Sequence, residues 1–244
     1  MAVIKNPSDI VDELVGDYRA VLGERLLSVV MYGSAVTHEY NPAVSDINIA
    51  IVLDDNSMEQ VSKCLSICKK WARRRVSVPF FMTRDYIQRS LDSFPVEFLG
   101  IQHDYRVLYG DDVFAAIQID REHLRIQCER ELKGAALHLR SEFIRGMGLP
   151  RRIHGLFISS IRSLLPVFKA LLVLAGRQIP TTKADIIAAV EDLYRLEASV
   201  LWKVYDAGMR RPRRSYGDLF EKYVHAVDTL VAGIDTMTPE GGRV

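Results

Sequence analysis

Apolar positions recur along this chain in two ways, and the change falls near residue 120. Before it, short runs with β-strand character alternate with helix-length segments. After it, a 3.6-residue spacing takes over. Asn6-Pro7 reads as a helix start, an N-cap side chain followed by proline at the first helical position. The helix runs to about Leu22, with Ile10, Leu14, Val15 and Tyr18 on one face and Gly23 ending it. Leu26 to Tyr32 is a continuous apolar run, hence a buried strand, broken by Gly33-Ser34. After a short segment and an Asn41-Pro42 loop, the β-branched stretch Asp46 to Leu53 reads as a central strand.

Residues 57–75 predict a helix with Val61, Leu65, Cys68 and Ala72 as its inner stripe, closing on Arg73-Arg74-Arg75, where positive charge suits the helix dipole. Val76 to Met82 is strand-like, Thr83 caps a short helix through Leu91, Val96 to Ile101 reads as another strand, and Tyr105 to Tyr109 as one more. Four helical segments follow, at about 121–146, 150–175, 182–208 and 216–236, separated by glycine- and proline-containing breaks. Pro166 should kink or split the second. The fold class is therefore α/β (α+β): a mixed sheet with helices over residues 1–115, then an all-α, antiparallel helical bundle over 120–244.

Charge changes this picture little. Thirty-two Lys and Arg stand against 31 Asp and Glu, so the whole-molecule field gives no reason to expect nucleic acid or an acidic membrane as partner. The densest positive run, Arg210-Arg211-Pro212-Arg213-Arg214, reads as a solvated loop, with an anion-binding loop as the alternative. No stretch approaches the roughly 18–20 apolar residues of a membrane span, and the N-terminus lacks a signal-type apolar run. Cys64, Cys68 and Cys128 read as reduced core thiols of a cytoplasmic protein, with no zinc spacing among cysteines and histidines.

The chemistry concentrates around residue 33. A glycine at the end of a buried strand lets the backbone approach a ligand closely, and exposed amides with the Ser34 hydroxyl can cradle phosphate oxygens. On an extended strand Asp46 and Asn48 point the same way, where oxygen ligands could hold magnesium against phosphates. Glu97 interrupts an apolar run taken as a strand; it reads either as a metal-bound carboxylate or as an edge-strand residue facing water. Asp54 shares the parity of Asp46 but lies past the strand's end. Glu129 and Lys133 are an i, i+4 pair, for which a surface salt bridge is the simplest reading.

Gly33-Ser34, the spacer, and Asp46-Ile47-Asn48 followed by Ile49-Ala50-Ile51-Val52 resemble the signature of the polymerase-β-type nucleotidyltransferase superfamily. Within it the chain is similar to small bacterial nucleotidyltransferases with a helical C-terminal domain, kanamycin-nucleotidyltransferase-like enzymes among them. The resemblance implies that Gly33 and Ser34 contact a triphosphate, and that Asp46, Asn48 and Glu97 hold Mg²⁺. Asn48 departs from the usual Asp or Glu, which removes one anionic bridge. It further implies Glu129 as general base, with Glu131 as a weaker candidate, and Lys133 as a phosphate ligand. The function so implied is transfer of a nucleoside monophosphate from an NTP, ATP foremost, to an unidentified hydroxyl acceptor. Asn48 supports an alternative, a catalytically degenerate fold that binds nucleotide or a partner. A toxin–antitoxin role is disfavoured, since the Arg-x₄-His ribonuclease signature is absent. A homodimer stays open.

Overall fold

The computed structural model describes residues 4–212 and 215–237. The chain divides into two compact units, one formed by Met1–Leu91 with Phe98–Gln118 and the other by Asp92–Glu97 with Ile119–Val244.

In the first unit, Asn6 caps a 3₁₀ turn (Pro7–Ile10) through the amide of Ser8, and helix α1 (Val11–Leu22) follows, ending at Gly23 with φ of 58°. Its inner face is Leu14, Val15, Tyr18 and Leu22, next to buried Ile10. Strand β1 (Leu26–Tyr32) and strand β2 (Asn48–Leu53) come next, then α2 (Met58–Lys63), α3 (Leu65–Ala72), β3 (Phe80–Thr83), α4 (Arg84–Arg89), α5 (Pro95–His103) and β4 (Tyr105–Gly110). The sheet order is β3-β2-β1-β4. β1 runs antiparallel to both β2 and β4, while β2 and β3 are parallel. Both inner strands are covered on both faces: Val29, Val30, Met31, Ala50, Ile51, Val52 and Leu53 are all fully buried. That double burial explains why each reads as an unbroken apolar run rather than an alternation.

Three expectations change. The 57–75 helix is two helices broken at Cys64, and its inner stripe is Gln60, Cys64, Ile67 and Trp71; Leu65 is 70% exposed. Both stripes have helical spacing, and the one carrying the indole goes inward, where Trp71 Nε1 donates to Asp17 at 2.8 Å. The strand expected at 76–82 reduces to an isolated bridge at Val76 and a short β3 beyond Pro79, which cannot donate to a ladder. Residues 96–101 form helix, not strand. Val96, Phe98, Leu99 and Ile101 are all buried, so the apolar positions follow neither a strict alternation nor a single helical stripe. Such a run fits either element, and Pro95 at the first helical position favours helix.

The named elements of the second unit are all helices. Asp120 caps α6 (Arg121–Arg145) through the amides of Glu122 and His123. Helices α7 (Pro150–Leu174), α8 (Lys183–Leu193), α9 (Val200–Met209) and α10 (Gly217–Asp235) follow. The segment expected as one helix over 182–208 is split at Arg195 and Ser199, both with positive φ. Glu191 compensates by accepting the α9 amides of Leu201 (2.7 Å) and Trp202 (3.1 Å), a cap supplied from the preceding helix. α7 is continuous through Pro166 rather than split, and it packs against α6, α8 and α9. By length and composition α7 could cross a membrane, contrary to expectation, yet much of it is buried in this core. Phe157 and Phe168 are fully buried, and Tyr223 of α10 shares a hydrogen bond of 2.7 Å with Ser160 of α7. Of the basic run, Arg213 and Arg214 lie outside the described residues.

Candidate functional site

The end of β1 brings the chain to Gly33, whose φ of 73° is open to glycine and strained for other residues. Its amide donates to the carbonyl of Asp104 at 2.7 Å, fixing the turn against the start of β4. A 3₁₀ turn follows (Gly33–Val36), closed by Thr37, whose amide and hydroxyl both reach the Ser34 carbonyl at 3.2 Å. The Ser34 hydroxyl has no protein partner among the described residues.

Asn48 opens β2 directly opposite Tyr32 in the β1–β2 register. Its Oδ1 accepts the Ser77 hydroxyl at 2.9 Å. Its Nδ2 faces the turn, 3.4 Å from where a Cβ on Gly33 would lie. The carboxamide is thus oriented, oxygen toward Ser77 and N–H donors toward the glycine turn.

Asp46 lies just before β2, with its side chain 60% exposed, and its Oδ1 accepts from Arg75 Nε at 3.2 Å. The same guanidinium donates through its second nitrogen to the Ala43 carbonyl. Arg75 itself has φ of 65°, an uncommon conformation for arginine. It is held there by backbone bonds running from Ile47 N to Arg75 O and from Ser77 N to Ile47 O, both 2.9 Å. The parallel approach of residues 75–77 to 46–48 therefore sets both side-chain contacts.

On β3, Phe80 is in register with Ala50, on the same face as Asn48, and its ring stacks on Tyr32 with centroids 6.3 Å apart and planes 16° from parallel. Burial pushes the Tyr32 phenol up to about 12. No acidic residue occurs between Val76 and Thr83. The magnesium implied by the resemblance does not fit these donors. The Asp46 carboxylate is paired with a cation, the Asn48 oxygen is taken by a hydroxyl, and β3 offers an aromatic ring. Among the described residues no group of three His, Cys, Asp or Glu side chains converges as a metal cluster.

Glu97 stands in the first turn of α5 and belongs to the helical unit, not to the sheet. Its Oε2 accepts from Gln127 Nε2 at 2.7 Å, while Gln127 Oε1 accepts the Val96 amide at 2.8 Å. Buried Gln127 thus clasps the start of α5 at two points. On α6, Glu129 takes Arg125 at 2.7 Å through one oxygen and Lys133 through the other; Lys133 also reaches Asp235 at 2.8 Å. Lys133 first, then Arg125, hold the Glu129 carboxyl down to about 2. Asp235 first, then Glu129, push the Lys133 ammonium up. Glu131 is paired with Arg130 at 3.2 Å.

Arg75, Ser77, Phe80 and Gln127 were not singled out from the sequence. Arg75 sat inside a run explained by the helix dipole, and the others have no local pattern that marks them.

No protein-family model matches the sequence, and no curated protein does either. Among solved structures, the chain is similar to spectinomycin adenyltransferase AAD(9) from Enterococcus faecialis, crystallised with ATP and spectinomycin. The TM-score is 0.57 over 90% of this chain and 98% of that one, at 11% identity. The chain has a nucleotidyltransferase-like fold. At that identity the likeness concerns fold alone, with the mixed four-stranded sheet followed by helices.

Proposed function

We propose that the sheet unit is a nucleotide-phosphate binding site that works without a metal pair and does not transfer nucleotide. The observation that carries this is the Asp46–Arg75 ion pair. A guanidinium held by the protein supplies positive charge at the carboxylate where the family resemblance implies magnesium. Asn48 extends the argument. A carboxylate there would repel phosphate unless a cation intervened, whereas its Nδ2 can donate directly to a phosphate oxygen. The Gly33 turn and the Ser34 hydroxyl complete the cradle. ATP is the first ligand to test.

Calorimetry with a non-hydrolysable ATP analogue tests the reading. Binding should be the same in EDTA and in Mg²⁺, and Arg75→Ala should weaken it about tenfold, roughly what one charge-assisted hydrogen bond contributes. Strict Mg²⁺ dependence, or pyrophosphate release by the wild type, overturns it.

A second reading, transfer to a hydroxyl acceptor with Asp46, Asn48 and Glu97 as Mg²⁺ ligands, Glu129 as base and Lys133 on a phosphate, draws support from the likeness to an adenyltransferase. Against it, a carboxylate near 2 with both oxygens on cations is a feeble proton acceptor at neutral pH. Asn48→Asp discriminates: turnover appearing only in the variant identifies a lost metal site, and turnover in the wild type restores the transfer reading.

A further inference from the structure

The helical unit has an open cleft of about 380 Å³ between the end of α6 and the start of α7, lined by His138, Glu142, Arg145, Arg151, Arg152 and Ser159 among others. We propose that it binds a small phosphate-bearing molecule, separately from the Gly33 cradle.

Three guanidinium groups face one carboxylate in this lining. Glu142 is committed to Arg145 at 2.6 Å. Neither Arg151 nor Arg152 has a side-chain partner among the described residues. Two unpaired arginines next to each other repel, and an anion removes that cost. The start of α7 adds to the same sign. Its first turn contains no acid and Leu149 provides no side-chain cap, so the helix's positive end is uncompensated.

The connection between the two helices is tied down. The α6–α7 turn is closed by Gly146 N to Glu142 O (2.8 Å), Gly148 N to Phe143 O (3.1 Å) and Leu149 N to Gly146 O (3.0 Å). Phe143 anchors it by stacking on Phe220 at 4.9 Å. The Arg152 stem lies so close to Gly146 that a Cβ added there would come within 2.9 Å of it. Arg151 and Arg152 are therefore carried on the first turn of α7, next to a hydrogen-bonded turn rather than a loose loop, which lowers the ordering cost of binding. Planar, forked donors suit phosphate oxygens, and the volume matches a small ligand rather than an extended polymer.

Titration of inorganic pyrophosphate into the full chain at about 0.15 M salt tests this, since weak surface attraction is largely screened there. Wild type and Arg75→Ala are both measured, the second lacking the cradle's cation. Saturable binding should persist in Arg75→Ala and fall at least about tenfold on adding Arg151→Gln with Arg152→Gln. Glu142→Gln should move the affinity the other way, about threefold tighter, because it removes the one opposing charge. Far-UV circular dichroism checks that each variant is folded. Binding that disappears with Arg75→Ala alone, or that ignores the arginine pair and Glu142→Gln, overturns the proposal. So does a protein that ignores pyrophosphate while the same arginines hold phosphatidylserine vesicles or single-stranded RNA.

Discussion

The two units hold their polar constellations by different means. In the sheet unit, Asp46, Asn48 and Gly33 lie at the ends of strands with fully buried centres; Asp46 and Asn48 take partners presented by the parallel approach of residues 75–77, and Gly33 bonds to Asp104. In the helical unit, Glu129 and Lys133 lie on an exposed helix face and are held by ion pairs along it. The first arrangement is fixed by the core, so its chemistry depends on which side chain occupies each position. The second is a network of surface charges, each able to move. A resemblance that assigns roles in both places is therefore more informative in the first, where geometry is inherited with the fold.

The largest test of that contrast is to loosen the scaffold. Ile51→Ala in the fully buried β2 should cost about 2–5 kcal/mol in urea unfolding and abolish binding of the ATP analogue, while Leu137→Ala, 70% exposed on α6, should stay within about 0.5 kcal/mol. Equal effects would end the distinction. Gly33→Ala comes next. A methyl at φ of 73° should cost about 1–3 kcal/mol in backbone strain and fill the space beside the Asn48 amide, lowering analogue affinity more than tenfold. A variant that binds normally removes the turn from the site.

The smallest effect concerns Glu129. Its folded-state carboxyl titrates near 2, below its unfolded value, so its stabilising contribution is complete above the ordinary glutamate range. That contribution is lost as pH falls through about 2. A carbon-detected NMR titration should find Glu129 well below exposed glutamates, and Lys133→Met should raise it. An ordinary value in the wild type would mean that the charge ladder does not persist in solution.

What was legible in the sequence follows from the same physics. β1, the Gly33 turn and β2 were readable because burial on both faces leaves an unbroken apolar run and the exit needs glycine. α5 was not, because an apolar run of that length fits either element. The Glu129–Lys133 pair showed through its spacing, whereas Asp235, at the far end of the chain, could not. Asn48 was recognised as an anomaly. What surrounds it, Ser77 on one side and Arg75 beside Asp46, depends on a parallel crossover that no local pattern announces.

The strand order also bears on how the molecule is made. β1 sits between β2 and β4, so one edge finds its partner within about twenty positions and the other must wait for residues 105–110. During synthesis Val29 and Met31 are exposed along an unpaired edge for that interval, an invitation to pair with another chain. Chains cut before Tyr105 should therefore precipitate where longer ones fold. On the ribosome the β4 residues emerge ahead of those of α6, so the sheet can close before the helical segments are available.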